Sequence, residues 1–121
     1  MYSRAESIRV IDKLIELTQH GQLKWEETPP SRYMSSTTEN VDVIYQAYYQ
    51  DVYINVYNRK YRYYYDETEY SWDDDVIIEL LNTEGVLLNR LPNTPNADEL
   101  LSSIRYQNRA LQNFYKNILN G

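Results

Sequence analysis

The chain has 121 residues, of which 12 are basic and 18 are acidic, so its net charge is −6 at neutral pH. It contains no cysteine and one histidine, which excludes disulfide scaffolds, iron–sulfur sites and thiol nucleophiles and removes the usual ligands of zinc. Fourteen residues are tyrosine, beside two tryptophans and one phenylalanine. The length predicts a single domain over residues 1–121 that folds without a metal or a cofactor.

The apolar residues are too scattered to form a membrane span, which needs about 18 consecutive apolar positions. The first residues alternate in charge and lack the basic and apolar regions of a signal peptide. We therefore expect a cytoplasmic protein with no membrane partner.

The first predicted element is a helix that starts after Ser3. Ser3 and Glu6 have the spacing of a capping box, and Gly21 suits the position just past a helix end. The apolar positions in between form a broad face, as expected for a helix that lies on a sheet: Ile8, Val10, Ile11, Leu14, Ile15 and Leu17.

Residues 22–40 are predicted to form a loop segment that could move. Pro29 and Pro30 exclude a helix here, and a Ser/Thr-rich run follows them. Trp25, which precedes the prolines, either plugs the edge of the core or lines a ligand pocket.

Residues 41–65 have the two-residue period of strands, and they contain an internal check on pairing. A two-residue loop at Gln50 and Asp51 puts apolar residues of both strands on one face, as a correct register requires. The pairs of that face are Tyr45–Val56, Ala47–Ile54 and Tyr49–Val52, and those of the other face are Tyr48–Tyr53, Gln46–Asn55 and Ile44–Tyr57. The second strand is either one long bent strand, which we favour, or is interrupted at residues 58–60 by a bulge or a turn.

Residues 66–75 carry six acidic side chains and no basic one, and they are predicted to form a loop. The run Val76–Leu81 is typical of a strand covered on both faces, and Asn82–Gly85 has the pattern of a type I turn. Val86–Leu91 then returns as the last strand.

One long helix is predicted from Asn96 onward. Its apolar face consists of Leu100, Ile104, Leu111, Phe114 and Ile118. The complete order is αββββα, which predicts an α+β domain of two layers: a four-stranded antiparallel meander with both helices on one face.

Five tyrosines fall on the sheet face that the helices do not cover: Tyr48, Tyr53, Tyr57, Tyr61 and Tyr63. Tyrosine combines a large apolar ring with a polar tip, which suits a contact surface. We therefore predict a non-enzymatic interaction or regulatory module that forms a homo-oligomer, such as a homodimer, or binds a protein partner through this face.

Two other functions remain open. The first is a small-ligand pocket between sheet and helices, lined by Trp25, Tyr45 and Tyr49. The second is nucleic-acid binding through Arg59, Lys60 and Arg62, which alternate with tyrosines on one strand. The negative net charge opposes phosphate binding.

The remaining polar groups predict no catalytic or metal site. Asp73, Asp74 and Asp75 are consecutive and point in different directions, so they favour a solvated loop over a cation site. His20 sits where a helix ends and suits the helix dipole. Glu26 and Glu27 are neighbours in an extended segment, and their side chains therefore diverge.

Overall fold

The computed structural model describes residues 2–30 and 39–121 and shows an α+β fold with three helices and a five-stranded antiparallel sheet. The strands form a meander in the order β1-β2-β3-β4-β5. The elements are α1 (Arg4–Gln19), β1 (Glu26–Thr28), β2 (Glu39–Tyr49), β3 (Val52–Tyr64), β4 (Tyr70–Leu81), β5 (Leu87–Arg90), α2 (Ala97–Gln107) and α3 (Arg109–Asn120).

The β2–β3 hairpin has the predicted register. Tyr45 lies opposite Val56, and Tyr48 lies opposite Tyr53. Gln50 and Asp51 form the two-residue loop with φ values of 45° and 68°. Positive φ at both positions is the geometry of the primed turns that match the twist of paired strands. Pairing of the two apolar faces therefore imposes this turn on residues that do not favour it.

The strand β3 is one continuous strand, paired with β4 from Tyr53↔Leu81 to Tyr64↔Tyr70. The irregularity considered for residues 58–60 lies instead in β2, between Val41 and Ile44. The prediction of an acidic loop at residues 66–75 was wrong from residue 70 onward, because β4 begins at Tyr70. Residues 70–75 pair with residues 59–64 of β3, and this pairing holds the acidic segment in an extended conformation.

A fifth strand, β1, lies inside the segment predicted as a loop. Glu26, Glu27 and Thr28 pair with Gln46, Tyr45 and Ile44. Three residues are too few to show a strand period, so only their pairing with β2 defines them as a strand. Residues 31–38 of the same predicted loop lie outside the described residues.

The predicted C-terminal helix is divided at Asn108, which has φ −58° and ψ 124°. Its side-chain oxygen accepts hydrogen bonds from the backbone N–H groups of Ala110 and Leu111, at 2.9 and 3.2 Å. Asparagine is among the best residues for starting a helix, because its side chain satisfies these otherwise unpaired donors. It therefore ends α2 and starts α3 in a new direction.

The helices α1 and α2 pack with one sheet face around the main core. Ile11, Val56 and Leu100 are fully buried there, one each from α1, β3 and α2. The predicted capping box of α1 is confirmed, with reciprocal bonds between Ser3 and Glu6. The predicted placement of both helices on one face holds for α1 and α2 and does not extend to α3, which has no buried residue.

Candidate interaction surfaces

The five predicted contact tyrosines share the sheet face opposite α1 and α2, but their exposure differs. Tyr48 and Tyr63 are 51% and 55% exposed, whereas Tyr57 is 4% exposed. Tyr53 and Tyr61 are half-buried. Tyr57 belongs to a second buried cluster, together with Val41, Ile44 and Ile77. The prediction that all five rings form one exposed surface is therefore wrong at its centre.

Ion pairs flank this second cluster. Arg59 donates two hydrogen bonds to Asp75, at 3.1 and 2.9 Å, and Arg90 donates one to Glu79 at 2.8 Å. Burial, strengthened by the negative charge of Glu79, raises the pKa of Tyr57 to about 12. These charges satisfy one another across neighbouring strands, which makes this region a structural part of the sheet.

The raised pKa of Tyr57 predicts a loss of stability in alkali. Between pH 10 and about 12 an unfolded Tyr57 ionises while the folded one stays neutral, so the free energy of unfolding falls as the pH rises. Chemical denaturation at increasing pH should show a smaller fall for Tyr57→Phe, which has no group to ionise. An equal fall in both proteins contradicts the assignment.

A second group of aromatic side chains lies on the far part of the β3–β4 hairpin, residues 60–74, which we call the aromatic arm. Its exposed aromatic residues are Tyr63, Tyr64, Tyr65, Tyr70 and Trp72. Their rings contact one another, with centroid distances of 5.5 Å for Tyr63–Tyr65, 5.4 Å for Tyr64–Tyr70 and 6.3 Å for Tyr70–Trp72. Of these five residues only Tyr63 was predicted to belong to the contact face, and Tyr70 and Trp72 were missed because residues 66–75 were predicted to form a loop.

The basic residues proposed for nucleic-acid binding are largely engaged within the fold. Arg59 is paired with Asp75, and the guanidinium of Arg62 lies 4.2 Å from the ring centroid of Tyr70. Lys60 is directly opposite Asp74 in the sheet. Residues 60–74 carry two basic and five acidic side chains, so the arm repels phosphates.

The third surface is the apolar side of α3. All its large apolar side chains are exposed: Leu111 by 37%, Phe114 by 59%, Tyr115 by 51%, Ile118 by 64% and Leu119 by 80%. The rings of Phe114 and Tyr115 contact each other at 5.8 Å. Leu111, Phe114 and Ile118 were predicted to pack on the sheet, and the break at Asn108 is the reason that they do not.

The residues predicted to line a ligand pocket do not share one. Trp25 packs against the core, and its indole N–H donates to the hydroxyl of Thr18 at 3.0 Å. Tyr45 is 9% exposed within the same core. Tyr49 is 45% exposed at the end of β2. Side chains therefore fill the space in which a ligand was expected.

The polar groups considered for chemistry are also dispersed. Within residues 2–30 and 39–121, no group of three histidine, cysteine or acidic side chains could hold a metal ion. Asp75 bonds Arg59 while Asp74 accepts from Asn58, which lies on the other face of the sheet. Glu27 accepts a hydrogen bond from Asn108 at 2.9 Å. Glu26 and Glu27 are consecutive in β1, so their side chains point to opposite faces of the sheet.

No described helix is both long and apolar enough to cross a membrane. Comparison of the chain with protein-family models, curated protein sequences and solved structures produced no match in any of the three.

Proposed function

We propose that this chain is a non-enzymatic interaction module that works as a self-associated assembly. The observation that carries the proposal is that α3 has 12 residues and buries none of them. A helix of about this length is only marginally stable in water when nothing packs against it. Association between copies covers its apolar side chains and supplies the missing stabilisation.

The alternatives have less support. A ligand pocket lined by Trp25 and Tyr45 conflicts with the packing of both side chains in the core. Nucleic-acid binding conflicts with the excess of acidic side chains on the aromatic arm.

A second candidate function is supported by the aromatic arm. Tyrosine, tryptophan and arginine are the residues enriched at energetic hot spots of protein interfaces, and the arm combines all three. Its excess of acidic charge favours a protein partner with a basic surface. The arm therefore provides a contact surface separate from α3, and it includes Tyr63 of the predicted tyrosine face.

Sedimentation equilibrium tests self-association directly. At roughly 100 µM, enough to populate a dimer of micromolar affinity, we expect twice the 14.5 kDa mass of one chain. A mass that stays at that of one chain contradicts the proposal. The double variant Tyr64→Ala/Trp72→Ala is altered only at exposed positions of the arm. It serves as the control and should sediment as a dimer, like the wild type.

A further inference from the structure

A groove runs along one side of α1, between this helix and the ends of β3, β4 and β5. Its two hollows, of about 430 and 340 Å³, share Val10, Val52 and Leu80 and therefore form one depression. Most of the lining side chains are apolar, and four of them are exposed: Tyr2, Val10, Tyr49 and Leu88, the last two by 45% and 57%. The groove is thus an apolar surface open to solvent, next to an element that already belongs to the core.

The opposite side of α1 contacts the segment before α2, and α2 itself packs against α1. Arg4 donates to the backbone carbonyl of Asn93, and Asn96 donates to that of Ile8. At 3.6 residues per turn, these contact positions point about 145° away from the mean direction of the groove positions 6, 7, 10, 13, 14 and 17. The body of α1 therefore lies between α2 and the groove.

This arrangement prevents α3 from filling the groove of its own chain. Gln107 at the end of α2 donates to the backbone carbonyls of Thr18 and Leu23, at 3.2 and 2.7 Å. Asn108 is the only residue between α2 and α3, and it donates to Glu27 on β1. A link of one residue held at this point cannot carry α3 around α1.

The helix α3 nevertheless matches the groove in length and chemistry. Its 12 residues span about 18 Å, and the part of α1 that lines the groove, from Glu6 to Leu17, also spans about 18 Å. An apolar helix face laid into an apolar groove is a common way for a helix to bind a protein.

The charge distribution favours the same pairing. The helix α3 contains Arg109 and Lys116 and no acidic residue, whereas the rest of the chain has ten basic and eighteen acidic residues. The helix of one copy is therefore attracted to the body of another.

We propose that α3 of one copy docks in the α1 groove of a second copy, and that the exchange is reciprocal. The inference rests on the proposed self-association and specifies its surfaces. Reciprocal exchange closes a two-fold dimer, whereas one-way docking would build a chain of copies. In a reciprocal dimer the surface area buried in the two contacts adds up, and a stable interface buries roughly 1,200 Å² in total.

Two single-surface variants and one control test the pairing by sedimentation equilibrium. The helix variant is Phe114→Asp/Ile118→Asp and the groove variant is Leu88→Asp, all at positions at least half exposed. Each should raise the dissociation constant by about 100-fold, as the loss of an interface hot spot does. The control Leu87→Asp changes a neighbouring leucine that is 50% exposed and does not line the groove, and it should dimerise like the wild type.

A mixture of the two variants gives the most specific result. The helix variant keeps an intact groove and the groove variant keeps an intact α3, so a mixture should form a heterodimer through one contact. It should be weaker than the wild-type dimer and stronger than either variant alone. Wild-type affinity in Leu88→Asp, as expected if two α3 helices pair with each other, overturns the inference while self-association stands.

Two other results would count against the exchange. A monomeric wild type rejects both self-association and the exchange. A wild type that is monomeric in solution and binds phosphatidylglycerol vesicles, with binding lost in the helix variant, would assign the apolar face of α3 to a membrane surface instead.

Discussion

Replacing Tyr57 with alanine is expected to lower the free energy of unfolding by about 3–5 kcal/mol, the usual cost of removing a buried aromatic ring. The ring is 4% exposed and fills the centre of the cluster with Ile44 and Ile77. Removing it leaves a cavity that the paired strands around it cannot close. Chemical denaturation, at one protein concentration for all variants, measures the effect.

Tyr63 provides the matched control, because it lies on the same sheet face and is 55% exposed. Tyr63→Ala should change the free energy of unfolding by less than about 0.5 kcal/mol. Equal losses in the two variants would show that Tyr57 is not part of a core.

Gln107→Leu is expected to cost about 2–3 kcal/mol, because one side chain makes three hydrogen bonds that join three parts of the fold. Its amide donates to the carbonyls of Thr18 and Leu23, and its oxygen accepts from the backbone N–H of Trp25 at 3.1 Å. Leucine has nearly the same size but removes all three bonds. The carbonyl of Thr18 keeps its hydrogen bond from the backbone N–H of Gly21, so most of the cost arises at Leu23 and Trp25.

The control for this variant is Gln19→Leu. Gln19 is exposed and makes one long contact, 3.5 Å, to the hydroxyl of Ser103. Its substitution should change stability by less than about 0.5 kcal/mol. If Gln107→Leu costs no more than this control, the end of α2 is not anchored at residue 107.

The sheet register was predictable because two strands had to agree. Tyr45, Ala47 and Tyr49 are apolar on the same face as Val56, Ile54 and Val52, and a shift of one residue would expose both sets. The second hairpin followed from the turn at Asn82, whose side chain accepts from the backbone N–H groups of Glu84 and Val86. Local chemistry and the hydrophobic pattern pointed to the same structure at both places.

The division of the last helix was not predictable from its apolar pattern. The helical spacing of apolar residues continues across residue 108, since Ile104, Leu111 and Phe114 keep a helical period. The signal that decides the break is Asn108, a good residue for starting a helix that also fits, at modest cost, inside one. The same apolar residues that predicted packing on the sheet are therefore the ones left exposed.

The tyrosines needed tertiary information for a different reason. Alternation assigns Tyr48, Tyr57 and Tyr63 to one face, but it does not say how deeply each position is buried. The ends of a long strand are exposed on both faces, whereas its centre is buried. The aromatic arm consequently contains residues of both faces, including Tyr64 and Trp72, which lie outside the predicted tyrosine face.

Amide hydrogen exchange of α3 tests the central claim most directly, because it reports whether something covers this helix in solution. At roughly 100 µM, the amides of residues 109–120 should exchange slowly in the wild type and quickly in Leu88→Asp, whose substitution lies on a different element. That result links the protection of α3 to the groove of another copy. Fast exchange in both proteins, or equal protection in both, would contradict the proposed exchange of α3 between copies.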